Sequence, residues 1–484
     1  MNFRVISRNV GFALLVSALF MFLSILVSVA NGNDSALAAL MISFTITFIV
    51  GVFPFIFVRK NAAITLKDGY IIIFLSWLLS FIFGMLPYAL WGGPFTVVNA
   101  LFESVSGFTT TGGTILSDVE SLPNSLLFWR SSTHFIGGLG VVVFLLLVIP
   151  NSSPVRLRLA NMELSSLSRE GYRSRANKTV IIFTSVYLGI CILAFLSYCL
   201  AGMSAFDAIN HAFSVCATGG FSTRNQSIGS FHSDLINLIT MVFMLLASIH
   251  FALIFMAVVT RSLKPFKNPV LKFYLGTLAI CSIITALYLK IGQIEPSWYR
   301  AFMDGTFQIL SYASTSGFAT ADNSAWPLFP CLLMMYVGVQ CGMAGSTTGG
   351  LKSDRVMMLF KAIGRQLRRN IHPASVSEIK LGNRIVRDEE LYPHILYIAM
   401  YGMLLVVSVL VCMLVGSGGA NAIPATISSL ANVGPALGEI GTFGNYGAEP
   451  AVAKVIYCLD MFLGRVEIYP VLAACGMIFS RAKR

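Results

Sequence analysis

The stretch "SGFTTTGGT" at residues 106–114 places three threonines and two glycines directly after an apolar run. It ends the segment "VNALFESVSGFTTTGG" (98–113), which lies between two long apolar runs. Three further segments have the same order and also end in glycine: "FDAINHAFSVCATGG" (206–220), "AFMDGTFQILSYASTSG" (301–317) and "NAIPATISSLANVG" (421–434). Recurrence at a similar spacing indicates an internal repeat. Four copies of this unit decide the fold.

The rest of the chain consists largely of apolar runs that are long enough to cross a bilayer. Of the 484 residues, 56% are hydrophobic and 11% are charged, whereas about 25% are charged in a soluble domain. Runs of about 20 apolar residues can span the ~30 Å hydrocarbon core. The predicted spans are 10–30, 36–58, 69–91, 126–149, 179–201, 233–260, 271–291, 327–360, 391–416 and 451–480. These ten spans predict an all-α polytopic membrane protein without a sizeable soluble domain.

The chain has a net charge of +12, and its basic residues are placed according to the predicted membrane topology. This placement argues against a nucleic-acid partner. Most lysines and arginines fall in every second connection between spans, as the positive-inside rule expects with both termini in the cytoplasm. These basic connections contain Arg59-Lys60, Arg156 and Arg158, 261–267, 361–387 and 481–484. The outer half of the chain carries acids that would concentrate cations. They include Glu103, Asp118, Glu120, Asp207, Asp234, Glu295, Asp304, Asp322 and Glu449.

The four repeated segments are too short to cross the membrane as helices, and we interpret them as re-entrant loops. Extended backbone at that depth is tolerated where protein buries it or a water-filled cavity solvates it. Carbonyls aimed at a common axis would replace the hydration shell of a cation, and glycine permits the backbone angles that this requires. The alternatives are ordinary helix contacts between small residues, or surface loops. Fourfold recurrence favours the pore.

The eighth predicted span, 327–360, contains the glycine-rich stretch "CGMAGSTTGGLKSD" at 341–354. Its four glycines make a poor continuous helix, so we expect a helix broken within the membrane. Breaks of this kind are typical of ion pathways, although the glycines could instead serve helix packing. A phosphate-binding loop is excluded because Leu351 separates Gly350 from Lys352, which breaks the required spacing, and because no strand precedes the stretch.

Arg465 lies inside the last predicted span, where a charge is costly and by default marks a functional site. A structural ion pair with Asp460 or Glu467 is the alternative. Glu103, Asp207 and Asp304 lie on the short repeated segments, where they would either cap helices or attract cations at the mouth. Three histidines without metal-ligand spacing are interpreted as hydrogen-bonded membrane residues. They are His134, His211 and His250.

Together these residues resemble the Trk/Ktr/HKT superfamily of potassium transporters, and most closely its TrkH/TrkG branch. The resemblance runs over nearly the whole chain. The motifs that carry it are "SGFTTTGGT" (106–114), "CATGGFST" (216–223), "STSGFAT" (314–320), "NVGPALGEIG" (432–441), "AGSTTGGLKSDR" (344–355) and "FLGRVEIYP" (462–470). The resemblance implies two leading transmembrane helices (1–67) and four span–pore helix–span repeats arranged pseudo-fourfold around one pore. The implied repeats are 68–150, 151–262, 263–385 and 386–484.

The resemblance also implies a potassium selectivity filter and a gate beneath it. Matched by position, the filter comprises Thr110, Thr111, Gly112, Ala217, Thr218, Gly219, Thr315, Ser316, Gly317, Asn432, Val433 and Gly434. The gate comprises Gly342, Gly345, Ser346, Thr347, Thr348, Gly349, Gly350 and Arg465. Glycine in all four filter positions is typical of the potassium-preferring members. The fourth strand departs most from the pattern, because Asn432 and Pro435 flank its glycine.

The implied partners are a second copy of the chain, in a homodimer, and a cytosolic nucleotide-binding regulatory protein of the TrkA type. The bilayer would be the inner membrane. The basic segment 361–390 directly continues the broken helix, so it is a candidate docking surface as well as a candidate solvated loop. The 150–178 loop is a second candidate. We expect channel-like conduction, with an ion-coupled symporter as the alternative. A structural scaffold would not explain the repeats, and the spans contain no catalytic set for an enzyme.

Overall fold

The computed structural model describes residues 2–58, 66–148, 176–373, 378–382 and 384–481, which are helical apart from loops and one β-hairpin. The predicted all-α class is confirmed. The α-helices are α1 (Phe3–Ala30), α2 (Leu37–Phe57), α3 (Leu66–Gly84), α4 (Leu86–Trp91), α5 (Val97–Phe108), α6 (Asn124–Val148), α7 (Ala176–Leu200), α8 (Ala205–Ala217), α9 (Asp234–Ser248), α10 (Phe251–Thr260), α11 (Pro269–Ile291), α12 (Trp298–Ala313), α13 (Leu328–Gln340), α14 (Ser353–Ile371), α15 (Asp388–Leu414), α16 (Gly419–Ala431), α17 (Ala451–Val466) and α18 (Ile468–Arg481). Short 3₁₀ helices lie at Ser227–Phe231, Lys264–Lys267, Asn323–Ala325 and Gly438–Ile440.

The two leading helices, α1 and α2, form an antiparallel pair that packs on the first repeated unit. Gly11 and Gly51 allow a close approach, since a Cβ on Gly11 would lie 2.7 Å from the carbonyl oxygen of Gly51. Asp34, in the connection between the two helices, accepts a hydrogen bond from the Ser125 hydroxyl at 2.9 Å. This bond ties the pair to the start of α6.

Four units follow, and each contains a span, a short helix, an extended strand and a second span. The short helices are α5, α8, α12 and α16, and we call them the pore helices. In the first three, a side chain caps the helix N-terminus by accepting a backbone N–H. The capping residues are Thr96, Ser204 and Ser297. The four short segments predicted from the sequence are therefore confirmed as helices that end in extended backbone.

Six helical spans are long and apolar enough to cross a membrane within the described ranges, one of them formed by α3 with α4, and the pair α9–α10 would add a seventh. The predicted span 233–260 is wrong as a straight helix, because α9 and α10 meet at a bend of 100°. The His250 side chain accepts the backbone N–H of Ala252 and so starts a new helix at the bend. The predicted span 451–480 is also interrupted, at Glu467, whose φ of 66° ends α17.

The predicted break in the eighth span is confirmed. Helix α13 ends at Gln340 and α14 begins at Ser353, and residues 341–352 between them are not helical. Cys341 and Lys352 have positive φ at the two ends of this segment, which we call the 341–352 loop. Four glycines within 341–352 explain why the apolar run does not continue as one helix.

Two large clusters of buried apolar side chains hold the units together. One joins the leading pair to the first and fourth units, and the other joins the second and third units. The four units therefore close around a common centre, although the unit boundaries given above remain predictions. After α14, strand β1 (Ile379–Leu381) pairs antiparallel with β2 (Arg384–Val386) within the basic segment. Arg365 pairs with Asp388 at 2.6 Å and so fixes α14 to the start of α15.

Candidate functional site

The backbone that follows each pore helix repeats one pattern of dihedral angles. A residue with positive φ comes first, at Thr110, Thr218, Thr315 and Asn432, with φ between 52° and 57°. Two positions later a glycine also has positive φ, at Gly112, Gly220, Gly317 and Gly434. Left-handed φ is rare for threonine because its β-branched side chain is crowded there. Such strain is retained chiefly at functional sites.

Each of the four strands makes an equivalent hydrogen bond to a serine of the pore helix that precedes it. The backbone N–H of the central residue donates to the carbonyl of that serine at 2.9 Å in every unit. The pairs are Thr111 with Ser106, Gly219 with Ser214, Ser316 with Ser311, and Val433 with Ser428. The sequence reading missed these serines. The motif Ser-x-x-x-[Thr/Asn]-x-Gly, present in all four segments, would have found them.

The predicted register of the second strand is wrong by one residue. The sequence reading matched Ala217, Thr218 and Gly219 to the other strands, whereas the backbone pattern matches Thr218, Gly219 and Gly220. Gly219 takes the central position because a Cβ there would overlap the ring of His134. The repeated glycines of "TGG" made both registers compatible with the letters. The dihedral angles distinguish them, and so does the spacing of Thr218 and Gly220 from Ser214 in the serine motif.

The four glycines with positive φ form a closed ring of contacts. A Cβ on Gly112 would overlap the carbonyl oxygen of Gly219, and one on Gly220 would overlap that of Ser316. In the same way Gly317 abuts the carbonyl of Val433, and Gly434 abuts that of Thr111. Each glycine therefore contacts the central carbonyl of the next unit, and the fourth returns to the first. We call this set the glycine ring. It requires glycine for both space and φ.

An open cavity reaches the glycine ring and is lined by all four of its glycines. Other lining groups come from the segments that follow the strands, including Ser222, Arg224 and Thr442. Arg224 pairs with Asp207 at 2.8 Å. The cavity therefore opens onto a ring in which the carbonyls of four units lie against the glycines of their neighbours.

The 341–352 loop contacts the second and third strands at their first residues, Thr218 and Thr315. The Thr218 hydroxyl donates to the carbonyl of Thr347 at 3.0 Å, and the Thr347 hydroxyl donates to the carbonyl of Cys216 at 3.1 Å. The backbone N–H of Gly349 donates to the Thr315 hydroxyl at 3.1 Å. The structure therefore brings the predicted gate residues to the residues with positive φ, which were assigned to the filter.

Glycines allow this loop to pass close to other backbone. A Cβ on Gly342 would lie 2.6 Å from the carbonyl oxygen of Ser248, and one on Gly349 would lie 2.6 Å from that of Ala431. Gly345 and Gly350 have positive φ. Inside the loop, the hydroxyls of Ser346 and Thr348 are 2.8 Å apart.

Two cationic side chains bind adjacent carbonyls of the loop. Arg465 donates to the carbonyl of Thr347, and to the carbonyl of Gly137 at 3.2 Å. Lys352, which the sequence reading did not single out, folds back and donates to the carbonyl of Thr348 and to its hydroxyl at 3.2 Å. Arg465, from α17, is therefore positioned to hold the loop against its surroundings, whereas Lys352 stabilises the conformation of the loop from within.

The ion-pair partners considered for Arg465 bind other groups. Glu467 accepts from Arg355 at 2.7 Å, and Asp460 accepts from the Ser408 hydroxyl at 2.7 Å. Arg355 lies in the first turn of α14, directly after the loop, and its guanidinium also lies 3.9 Å from the ring centroid of Tyr397. The structure places Arg465 against loop backbone and gives the two acids separate partners.

The acids on the pore helices have different roles. Both roles predicted for Glu103 are wrong, because Thr96 caps its helix and Glu103 is fully buried in an ion pair with Arg130 at 2.6 Å. Asp207 lies in the first turn of α8, where Ser204 is the cap, and it accepts from the Ser204 hydroxyl at 2.9 Å. Asp304 accepts from the Thr320 hydroxyl at 2.9 Å.

The three histidines are hydrogen-bonded, as predicted. His134 lies 2.9 Å from the Ser214 hydroxyl, His211 lies 2.7 Å from the carbonyl of Asp207, and His250 caps α10. In the ranges that the structure describes, no group of three or more His, Cys, Asp or Glu could hold a metal ion. The candidate 150–178 loop, with Arg156 and Arg158, lies almost entirely outside the described residues, as do Arg59-Lys60 and the end of the chain after 481.

Comparisons with known proteins agree over nearly the whole chain. The family model "TrkH: Cation transport protein" matches residues 36–481. The Trk system potassium uptake protein TrkH of Salmonella typhimurium is 33% identical, over 99% of this chain and 100% of its own. The corresponding TrkG of Escherichia coli (strain K12) is 31% identical over 99% of each chain. The crystal structure of the potassium transporter TrkH from Vibrio parahaemolyticus is similar with a TM-score of 0.88, at 31% identity over 98% of each chain.

Proposed function

The chain belongs to the TrkH family of cation transport proteins, and from this premise we propose that it takes up potassium through the glycine ring. The relatives named above are described as potassium uptake proteins or a potassium transporter. The observation that carries the proposal is the closed set of contacts in which each ring glycine abuts the carbonyl of the next unit. Cation transport is not an enzyme class.

Selectivity in this proposal comes from the backbone. A potassium ion loses its hydration water to the carbonyls of the four strands, centred on Thr111, Gly219, Ser316 and Val433. The strained φ values at Thr110, Thr218 and Thr315 support this role, because such strain persists only where the surrounding structure imposes it, chiefly at functional sites. Since the central residues differ between units, the filter has fewer well-formed ion sites than a symmetric tetramer would have.

Conduction is gated by the 341–352 loop. The loop lies against Thr218 and Thr315 and is held there by Arg465, while Lys352 stabilises its conformation from within. A cation that has passed the strands meets this backbone and two positive charges. Opening therefore requires the loop to leave the contact between Arg465 and the Thr347 carbonyl. Helix α14 continues from the loop into the basic segment, so movement of α14 transmits force to the gate.

The proposed assembly is a homodimer in the inner membrane, with both termini in the cytoplasm and a cytosolic nucleotide-binding regulatory subunit of the TrkA type. The word "system" in the relatives' names supports a separate regulatory component. The segment 361–390 is the proposed docking surface, because the pair between Arg365 and Asp388 connects α14 to α15. Displacement of this connection would pull on the loop.

Conduction through a filter favours a channel, whereas an ion-coupled symporter would need alternating inward- and outward-facing states. The test is uptake of K⁺, Rb⁺, Na⁺ and Li⁺ into proteoliposomes, with and without the regulatory subunit, under imposed voltage. We expect K⁺ and Rb⁺ uptake that follows voltage without a coupling ion. Equal Na⁺ and K⁺ uptake would refute selectivity, and uptake that depends on a proton or sodium gradient would refute the channel.

A further inference from the structure

The second strand of the ring lacks the bond that closes the other three onto their pore helices. In those units, the helix serine donates its hydroxyl to the carbonyl of the residue after the ring glycine. The bonds run from Ser106 to Gly113 at 2.6 Å, from Ser311 to Phe318 at 2.6 Å, and from Ser428 to Pro435 at 2.8 Å. In the second unit, the Ser214 hydroxyl instead lies 2.9 Å from Nδ1 of His134. Another group must therefore position this strand.

Side chains from α6 contact the second strand at that place. The Arg130 guanidinium lies 3.9 Å from the ring centroid of Phe221, the residue after the ring glycine. Arg130 also donates to the carbonyl of Ser222 at 3.4 Å. The His134 ring stacks on Phe221 with a centroid separation of 4.1 Å. Phe221 is thus held through its side chain by two residues one helical turn apart.

Glu103 connects Arg130 to the first strand. Glu103 accepts from Arg130 at 2.6 Å, from the Thr114 hydroxyl at 3.0 Å, and from the backbone N–H of Ile115 at 3.2 Å. The pair is buried, with Glu103 fully enclosed and Arg130 2% exposed. A buried pair with additional hydrogen bonds has little freedom to shift, and loss of one partner leaves an uncompensated charge.

The pair therefore spans the junction at which Gly112 abuts the carbonyl of Gly219. We propose that Glu103 and Arg130, together with Phe221, are positioning residues that set the spacing of the first and second strands and so determine selection of K⁺ over Na⁺. This inference rests on the proposed function. It assigns selectivity to side chains behind the ring, whereas the ring itself supplies only backbone ligands.

The pair of Glu103 with Arg130 also neutralises a positive charge next to the cavity. Arg130 lines the cavity that leads to the ring, where an unbalanced positive charge would repel cations. Glu103 neutralises it at 2.6 Å. Arg130→Lys would keep the charge but lose the planar fork that reaches both Glu103 and Ser222. Geometry and charge can therefore be separated by substitution.

The test measures Na⁺ and K⁺ uptake by purified Arg130→Lys, Glu103→Gln, Thr114→Val and Phe221→Leu variants at equal reconstituted protein. We expect the Na⁺/K⁺ uptake ratio to rise about tenfold in Arg130→Lys and less in Thr114→Val, the scale of one lost hydrogen bond. Arg300→Gln, which breaks the exposed pair with Asp234, is the matched control and should leave the ratio unchanged.

Thr114→Val and Phe221→Leu keep the buried pair intact, so they test the proposal even when Arg130 or Glu103 variants fail to fold. A purely structural role would lower uptake of both cations in proportion, with the Na⁺/K⁺ ratio unchanged. If the wild-type protein selects K⁺ and the folded variants keep the wild-type Na⁺/K⁺ ratio, this inference is overturned while the proposed function stands. Equal uptake of both cations by the wild-type protein would instead overturn the proposed function.

Discussion

Replacing Arg465 by alanine tests whether this arginine holds the 341–352 loop closed. Arg465 donates to the Thr347 carbonyl on the loop and to the Gly137 carbonyl on α6, so it connects the moving segment to a fixed helix. A hydrogen bond from a charged donor contributes about 1.5–3 kcal/mol. If the bond to Thr347 exists only in the closed state, its loss raises the open population by roughly 10- to 100-fold. Removal of a fixed positive charge from the pathway acts in the same direction.

The assay is Rb⁺ uptake into proteoliposomes that contain the purified chain without its regulatory subunit. We expect Arg465→Ala to raise uptake by about tenfold or more, until the open fraction saturates. Lys454→Met is the matched control, because Lys454 lies on the same helix but binds Asn99 at 2.9 Å and Gly447 at 2.8 Å, away from the loop. Unchanged uptake at equal protein would refute the proposed barrier. A lowered thermal midpoint with unchanged uptake would assign Arg465 a purely structural role.

Three further substitutions test separate parts of the site. Gly220→Ala should abolish Rb⁺ uptake, because Gly220 has a φ of 81° and an added Cβ would overlap the Ser316 carbonyl. Gly189→Ala, with open space around it, is the control and should have no effect. Transport by the Gly220 variant would contradict the corrected register. Lys352→Met should raise uptake without the regulatory subunit by about tenfold, since it removes the internal bond to Thr348 that stabilises the closed conformation of the loop. Lys361→Met is the control, and unchanged uptake would show that the internal bond does not contribute to closure. Ser311→Ala removes the hydrogen bond to the Phe318 carbonyl, so it should lower the free energy of unfolding by about 1 kcal/mol and raise Na⁺ uptake relative to K⁺ uptake. An unchanged uptake ratio would show that the serine only stabilises the fold.

The sequence predicts the parts of this fold that depend on local composition. Four short segments ending in glycine are visible because they recur, and the 341–352 break is visible because glycine disfavours a helix. The breaks at His250 and Glu467 were missed, since each occurs at a single residue inside an apolar run whose composition does not change there. His250 accepts the Ala252 N–H, and Glu467 binds Arg355 at a distant point in the chain.

The candidate site was predicted in position, but the register of its second strand was predicted one residue out. Adjacent glycines at 219 and 220 satisfy the same pattern, and the His134 ring, brought by another helix, decides which of them takes the central place. The ion pair of Glu103 with Arg130 was also missed, because its partners are distant in sequence and no local periodicity links them. Tertiary contacts of this kind require the assembled units.

The most direct test of the glycine ring as the ion pathway is anomalous diffraction from crystals of the protein grown in Rb⁺. The account predicts an anomalous peak on the axis enclosed by the carbonyls of Thr111, Gly219, Ser316 and Val433, and its loss when Na⁺ replaces Rb⁺. Crystals of transport-active protein with ordered Rb⁺ elsewhere, and none at the ring, would contradict the claim that these four strands form the filter.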